Sequence, residues 1–220
     1  MRGSWINESH FQGESNPPDS SEVQKKRPVE SVNWYHSIAF CNKLSQECGL
    51  DPCYTVYDVN FETLDFDDIP TRDNYKWNNA VCDWSKNGFR LPTEAEWEWA
   101  AKGRIEDKWA GTNDESNLKD YAWYNNNSGY KTHEVKKKLP NGYGLYDMSG
   151  NVAEWCWDWY VRNGTPAGGQ DPIGAASGVN RVLRSGSWSD GSKFCFVGRR
   201  LNNKPDRCGG FVGLRVACRP

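Results

Sequence analysis

The 220-residue chain is poor in the residue type that protein metal sites use most. It has three histidines, His10, His36 and His133, and they form neither an H-x-x-H nor an H-E-x-x-H spacing. Such spacings bring two imidazole ligands to one ion. Their absence argues against a histidine-rich zinc or iron site.

Motifs of nucleotide binding and of serine hydrolysis are missing as well. The sequence has no glycine-rich phosphate loop and no G-x-S-x-G turn around a nucleophile. The formal net charge is −2, so the strongly basic surface that nucleic-acid binding needs is also lacking. We therefore expect no nucleic-acid partner.

Long apolar runs are absent too. A membrane-spanning helix needs about 18 or more consecutive apolar residues, and no stretch of this chain approaches that. We therefore expect no transmembrane segment. Met1 is not followed by the basic and apolar regions of a signal peptide. The compartment stays open: we expect a cytoplasmic protein, or a cell-surface or extracellular one if an export segment precedes this chain.

Cysteine is plentiful, with eight residues, but none of them forms a C-x2-C pair, which argues against a zinc ribbon. In an exported protein the even number would allow four disulfides, whereas buried thiols are the expectation in the cytosol. Cys53 and Cys82 flank one polar segment, and Cys41 and Cys218 would meet if the last strand packs beside the first helix.

The composition indicates one folded domain rich in aromatic clusters and turns. The chain contains twelve tryptophans and 21 glycines, and 37% of its residues are hydrophobic. A chain of this length can bury a sizeable core. Residues 1–28 are polar and rich in proline, which predicts an extended, loosely packed N-terminal arm, and residues 29–220 form the predicted domain.

Two segments carry the signals of helices. The apolar period of 34–48 predicts a helix that Asn33 caps and Gly49 ends. Thr93 and Glu96 form the pattern of a capping box, so a second helix is predicted at 93–102.

The rest is expected to be short strands and loops. Strands are predicted at 121–124 and 180–184 and in the alternating tryptophans of 155–159, with a turn and a short strand in 50–58. The acidic, asparagine-rich segment 59–80 is predicted to be a surface excursion.

One segment, 141–160, organises the chain, and it reads NGYGLYDMSGNVAEWCWDWY. Its glycines suit tight turns, and its alternating tryptophans suit a strand with one aromatic face. Asp147 and Glu154 flank a turn whose backbone carbonyls are free of regular pairing. Carboxylates and carbonyls in such a loop are the ligands that calcium prefers.

This segment, in its part GLYDMSGNVAEW, resembles the signature of the formylglycine-generating enzyme family, also called the sulfatase-modifying-factor domain. Residues 88–103, GFRLPTEAEWEWAAKG, and residues 184–215, which begin RSGSW and end GLR, resemble two further blocks of the family in the same order. The resemblance implies an α+β, C-type-lectin-like fold with two main helices, short strands and much irregular loop. The strands that usually open such proteins have no counterpart here, so the sequence leaves open whether the N-terminus is complete.

The resemblance also implies a structural calcium site. The positions that match the family's calcium loop are Asp147, Gly150, Val152 and Glu154, the first and last through side-chain oxygens and the middle two through carbonyls. A second calcium site of the family has no clear counterpart in 125–140.

The family's copper-dependent oxidases carry two cysteines in a C-x4-C pair after a glycine-serine-aromatic turn, which is Gly186-Ser187-Trp188 here. The first cysteine position holds Asp190 and the second holds Cys195. One thiolate and one carboxylate are a poor ligand pair for Cu(I), which prefers soft sulfur ligands. We therefore expect no copper and no oxidase chemistry, with Cys195 as the single catalytic candidate if that expectation fails.

The C-terminal block 188–211 is similar to the variable region that retroelements diversify in some proteins of this fold. Where relatives carry asparagine, this block carries residues whose codons arise from asparagine codons by changing adenines alone. The candidate ligand-binding residues are Trp188, Ser189, Asp190, Gly191, Phe194, Phe196, Arg199, Leu201, Arg207, Gly209, Gly210 and Phe211.

These observations predict a non-catalytic domain that binds a protein or another macromolecule through residues 188–211. The alternative is a formylglycine-generating-type oxidoreductase that acts on a protein cysteine. Ordinary drift on a surface loop, or packing of these aromatics in the core, would also explain the composition of 188–211.

Overall fold

Four helices and six strands form the frame of the molecule in the computed structural model, which describes residues 9–11, 16–162 and 171–219. The helices are α1 (Trp34–Glu47), α2 (Tyr75–Asn78), α3 (Glu94–Lys102) and α4 (Leu118–Tyr121). The strands are β1 (Tyr54–Thr55), β2 (Val81–Cys82), β3 (Ala153–Trp159), β4 (Arg181–Arg184), β5 (Leu201–Asn203) and β6 (Val212–Leu214). The α+β class predicted from the sequence is confirmed.

The main sheet has four strands in the order β5-β4-β3-β6. Strand β4 pairs antiparallel with both β3 and β5, whereas β6 runs parallel to β3 with Ala153 opposite Val212. A small second sheet joins β1 to β2. Because β3 is one of the two inner strands of the main sheet, the C-terminal part of the organising segment lies at the centre of the sheet.

Helix α1 begins and ends as the sequence predicts, within one residue. The Asn33 side chain accepts a hydrogen bond from the His36 amide at 2.8 Å and so satisfies a free amide of the first turn. After the helix Gly49 takes φ +68°, a left-handed conformation that favours glycine.

Helix α3 confirms the predicted capping box. The Glu96 amide donates to Thr93 Oγ1 at 3.1 Å, and the Thr93 amide donates to Glu96 Oε2 at 2.9 Å. Arg90 holds the same Glu96 carboxylate through two contacts of 2.6 Å. The helix ends at Gly103, which is left-handed.

The core is built largely of tryptophan. Trp34, Trp97 and Trp155 are almost completely buried. The indole N–H groups of Trp34 and Trp155 donate to the carbonyls of Cys156 and Val32, both at 3.0 Å. These bonds join α1 and the residue before its cap to β3. The directional hydrogen bonds fix the orientation of the indole rings, in addition to their apolar packing.

The prediction of a surface excursion at 59–80 is only partly right, because many of its residues are exposed but the segment is anchored in the core. Phe61, Ile69 and Trp77 are buried in the main core cluster, and the segment contains α2. The average composition of the segment is polar, so it did not reveal these three buried residues. A few large apolar residues are enough to attach a segment to the core while its other side chains face water.

The predicted strand at 121–124 is also wrong, because the segment begins as the end of α4. Alternating aromatic residues there favoured a strand. In the structure the Asn127 side chain accepts from the Tyr124 amide at 2.9 Å and donates to the Ala122 carbonyl at 2.9 Å. Trp123 forms only an isolated bridge with Gly150, and the Asn127 amide satisfies the backbone groups on either side of it.

The described part of the N-terminal segment packs more closely than predicted. Phe11 is 5% exposed, and the amides of His10 and Phe11 both donate to the buried Glu30 carboxylate at 3.0 Å. Arg27 is buried and donates to the Thr132 carbonyl at 2.6 Å. Phe11 and Arg27 therefore anchor a segment in which many other described residues are exposed, and the arm with its boundary at residue 28 stays a prediction.

The eight cysteines all lie in the described part of the chain, and none of them forms a disulfide. Cys41, Cys53 and Cys82 are buried in the main core cluster. Cys41 is fully buried whereas Cys218 is exposed, so this suggested pair is not formed. Within the described ranges, no helix has the length and apolarity that crossing a membrane requires.

Candidate functional site

The candidate ligand-binding residues separate into two groups in space. In the first group, Trp188 donates from its indole nitrogen to the Gly210 carbonyl at 2.7 Å. The Phe11 ring stands edge-on to Trp188 at 5.1 Å. Phe211, which follows Gly210 in the chain, is 42% exposed. This group, which we call the Trp188 group, combines both ends of the 188–211 block with the N-terminal segment.

The second group lies around the 3₁₀ turn Ser192–Phe194. Phe194 is 41% exposed, and the Arg199 guanidinium lies 5.0 Å from its ring centre. Phe196 is half-buried and meets the Trp109 ring at 5.0 Å. Trp109 in turn donates to the Ser192 carbonyl at 2.8 Å. The exposed pair Phe194 and Arg199 therefore stands on a fixed aromatic base.

The block thus contains displayed and supporting side chains. Ser189, Phe194, Arg199, Arg207 and Phe211 are exposed. Trp188, Asp190, Gly191, Phe196, Leu201, Gly209 and Gly210 are half-buried. The aromatics of 188–211 are therefore neither all core nor all surface.

Leu201 stands apart from the Trp188 group. It lies in β5, whereas Phe211 leads directly into β6, and these strands form the two opposite edges of the main sheet. Three strand spacings of about 4.8 Å separate the edges, which amounts to roughly 14 Å. Leu201 also packs against the main core cluster, so its part is more structural than the sequence predicted.

Two contributors to the Trp188 group were not found in the sequence, namely His10 and Phe11. A Cβ at Gly210 would lie 3.4 Å from both residues. Nothing in the local pattern at 10–11 marks them, because their role depends on a contact with residues about 200 positions later in the chain.

A buried charge network fixes these loops to the frame. Arg184 of β4 donates to Glu94 at 2.9 Å, to Glu98 at 2.7 Å and to the Val197 carbonyl at 2.8 Å. Arg200 grips the same Glu94 carboxylate with contacts of 2.6 and 2.7 Å. Helix α3, the sheet and the C-terminal block therefore meet at one carboxylate.

Asp190 and Cys195, at the two copper-ligand positions of the resemblance, are both engaged in local structure. Ser187 Oγ donates to the Asp190 carboxylate at 2.6 Å, and the Asn125 amide donates to the Asp190 carbonyl at 3.0 Å. Cys195 is fully buried. Burial, and to a smaller extent the charge of Asp190, raises the pKa of the Cys195 thiol to about 12. The thiolate that a Cu(I) site needs is therefore disfavoured.

The four residues predicted as calcium ligands come together. Asp147, Gly150, Val152 and Glu154 all line one cavity of about 390 Å³. The Lys136 amide donates to Asp147 Oδ2 at 2.9 Å, while Oδ1 is buried without a hydrogen-bond partner among the described residues. Burial raises the pKa of Asp147, against the lowering effects of the Lys136 amide and the Arg215 charge. A buried carboxylate oxygen that has no hydrogen-bond partner is a suitable ligand for a hard cation such as calcium.

Glu154 is less open to an ion than the sequence predicted. Arg215 donates to its two carboxylate oxygens at 2.8 and 2.9 Å, and Trp97 Nε1 donates at 2.6 Å. The donor set therefore fits a cation best at Asp147, because Glu154 is shared with Arg215 and the Gly150 carbonyl accepts from Ser185 Oγ at 3.0 Å. The sequence did not assign Arg215 to this cavity.

Comparison with known proteins gives consistent matches over nearly the whole chain. The model of the sulfatase-modifying factor enzyme 1-like domain matches residues 4–220. The solved structure of Treponema denticola variable protein 1 superposes with a TM-score of 0.91 and 57% sequence identity, over 96% of this chain and 77% of that one.

Two curated relatives are similar over shorter regions. The chaperone protein LppX of Paenibacillus barcinonensis is 37% identical over 74% of this chain, and the formylglycine-generating enzyme of Streptomyces coelicolor is 35% identical over 68%. The matches span 60% and 54% of the lengths of these two relatives.

The state of Cys195 can be tested by alkylation. We expect iodoacetamide at pH 8 to modify the exposed Cys48 and Cys218 in the folded protein and to leave Cys195 unmodified, because its thiol is buried and its pKa is about 12. Peptide mass spectrometry measures the extent at each site, and the protein in denaturant gives the fully labelled control. Modification of Cys195 at the rate of Cys48 would contradict its burial.

Proposed function

The chain belongs to the family of sulfatase-modifying factor enzyme 1-like domains, and we propose that it is a non-catalytic member that binds a macromolecular ligand. The observation that carries the proposal is that segment 188–211 contains both exposed side chains and half-buried side chains that support them. Phe194, Arg199 and Phe211 are exposed, whereas the half-buried side chains of the block hold the backbone that presents them. Exposed aromatic and arginine side chains on a rigid frame are typical of the centres of protein interfaces.

The chemistry of the block favours a protein ligand. Phenylalanine rings provide contact area at a low cost in side-chain entropy, and arginine provides several directional donors. The half-buried Gly209 and Gly210 let the Phe211 ring and the side chains of His10 and Phe11 approach the backbone of the block closely. The C-type-lectin-like scaffold implied by the resemblance would be the frame for this surface.

The enzyme alternative has no comparable support. The resemblance requires two thiolates, and the first position holds Asp190, whose carboxylate accepts from Ser187. The second, Cys195, has a raised pKa and no exposed surface. Similarity to formylglycine-generating enzymes therefore supports a common fold more than a common reaction.

We extend the proposal to diversification of the block. The related solved structure from Treponema denticola is named a variable protein, and the exposed residues of 188–211 are those whose change would cost the fold least. Sequencing the DNA around the gene tests this. We expect a reverse transcriptase gene and a near-copy of the segment that encodes 188–211, differing from it at adenines. A neighbourhood without such a copy would contradict diversification but not binding.

The binding surface can be tested by a triple substitution, Phe194→Ser, Arg199→Asn and Phe211→Ser. Because these side chains are exposed, we expect the free energy of unfolding to change by no more than about 1 kcal/mol in total, while binding to a ligand selected from a displayed peptide or protein library is lost. Thermal melts and surface plasmon resonance measure the two effects.

Two control variants separate surface from core. Phe61→Ser makes the same change at a buried ring and should cost roughly 3–5 kcal/mol. Tyr75→Ser removes an exposed aromatic outside the block and should leave binding intact. Unfolding of the triple variant, or retention of its binding, would show that these residues are not the ligand surface.

We also propose that calcium binds beside Asp147. An ion that binds only the folded protein stabilises it by RT ln(1 + [L]/Kd), about 2.7 kcal/mol at a hundredfold excess over Kd. Thermal melts in calcium and in chelator should therefore differ, and Asp147→Asn should remove the difference. Asp65→Asn, at an exposed aspartate, should retain it. Equal melts of the parent protein in calcium and in chelator would exclude the site.

A further inference from the structure

Three ligand-type side chains meet between the N-terminal segment and the body of the domain. His133 Nδ1 lies 2.9 Å from Glu22 Oε1 and 3.6 Å from Asp19 Oδ2. One ligand atom from each of the three residues lies within 4.8 Å of the other two. No other group of three such residues is brought together in the described ranges. We call these residues the Asp19–Glu22–His133 cluster.

The imidazole of His133 is held in one orientation. Its Nε2 lies 2.7 Å from the Ser128 carbonyl, and a carbonyl oxygen only accepts, so Nε2 carries a proton. The ring also stacks on Trp123 with ring centres 3.7 Å apart. In the neutral imidazole, Nδ1 therefore presents its lone pair to the carboxylates. A histidine fixed in this way by its other nitrogen is the usual arrangement of a metal ligand.

Glu22 supplies a second, independent observation that points to a cation at this position. Its side chain is only 4% exposed. Oε2 is buried and has no hydrogen-bond partner among the residues that the structure describes. A buried carboxylate oxygen without a partner is costly. The oxygen Oε1 meanwhile faces the Nδ1 lone pair, and two acceptors at 2.9 Å require a proton or a cation between them.

The neighbouring cations do not fill this position. Lys131 Nζ pairs with Asp19 Oδ1 at 2.5 Å, and this hydrogen bond is the main reason that the pKa of Asp19 is lowered. The other oxygen, Oδ2, is the one nearest His133. Arg27 directs Nε and Nη2 to Thr132, at 3.1 and 2.6 Å. Both cations are therefore directed away from the position beside His133 Nδ1 and Glu22 Oε1.

We propose that the Asp19–Glu22–His133 cluster binds a divalent transition-metal ion of the Zn²⁺ class. One imidazole and two carboxylates are the nitrogen and oxygen ligands that Zn²⁺ accepts, and a fourth position would be open to water. The ligands are Nδ1 of His133, the Glu22 carboxylate and Oδ2 of Asp19. The site is separate from the Asp147 cavity, whose lining contains none of these three residues.

The position of the cluster gives the metal a structural role. Asp19 and Glu22 belong to one turn, closed by the Glu22 amide on the Asp19 carbonyl at 2.8 Å. The same segment holds Phe11, because Gln24 Nε2 donates to the Phe11 carbonyl at 2.6 Å. Phe11 packs on Trp188. A metal at the cluster therefore fastens the segment that supports one side of the Trp188 group.

The test uses Zn²⁺ itself, with the exposed cysteines removed as competing ligands. In a background of Cys48→Ser, Cys208→Ser and Cys218→Ser, we expect one Zn²⁺ per chain by isothermal titration and metal analysis. Hundredfold excess over Kd should raise Tm by about 5–10 °C. Tryptic cleavage after the exposed Lys25 and Lys26 should become slower, because the metal anchors the turn beside them.

Three variants make the result specific. Glu22→Gln keeps the shape of the side chain and removes its charge, so we expect affinity for Zn²⁺ to fall at least tenfold and the protection from trypsin to be lost. Glu62→Gln, at an exposed glutamate, should change neither. Asp147→Asn should remove the calcium effect and leave the Zn²⁺ effect unchanged, so the two sites are tested separately.

Two outcomes would overturn the proposal. The first is a failure of the triple cysteine-to-serine variant to bind Zn²⁺, which would mean that His133 and Glu22 form an ion pair without a metal. The second is equal Zn²⁺ binding by the parent and Glu22→Gln. Circular dichroism checks that the Glu22→Gln variant is folded. If that variant is unfolded, Zn²⁺ binding is compared between the parent and Asp19→Asn, because Asp19 is exposed and its substitution should not disturb the fold.

Discussion

The ion-pair network around Glu94 is the interaction on which the arrangement of the molecule depends. Glu94 stands at the first turn of α3, and its carboxylate receives Arg184 from β4 and Arg200 from the C-terminal block. Arg184 is fully buried, so its charge has no water to replace a lost partner. Removing one partner of such a pair typically costs 3–5 kcal/mol. The network therefore fixes where the exposed loops leave the frame. Because burying the charges costs solvation energy, its net contribution to the free energy of unfolding is small, and its main effect is to position the loops.

This anchoring explains how one block can be held to the frame and still expose several of its side chains. Val197 and Cys195 point inward and Arg200 is tied to α3, while Phe194 and Arg199, between and beside them, face outward. A substitution at an outward position leaves the network intact. The thiol at 195 is buried within this block, and burial raises its pKa, so the thiolate form is disfavoured. Fold and surface can thus change independently.

Much of the frame was predictable because its signals are local. Caps, terminators and periodicity located α1 and α3, and the motif at 141–160 identified the central strand. The same motif named Asp147 and Glu154, which do share a cavity. What failed was the reading of polar segments. The buried Phe61 and Trp77 and the amide-supported turn at Asn127 depend on partners that composition does not reveal.

The sequence by itself determined the fold family, the two main helices and the C-terminal block that carries the candidate surface, since each rests on residues close together in the chain. Only the tertiary structure decided which side chains of that block are displayed, that Arg215 shares Glu154, and that Asp19 and Glu22 meet His133. The physical reason is that burial and charge pairing are set by contacts between distant segments. A contact across more than 100 residues, such as the one between Glu22 and His133, leaves no periodic or local signal in the chain.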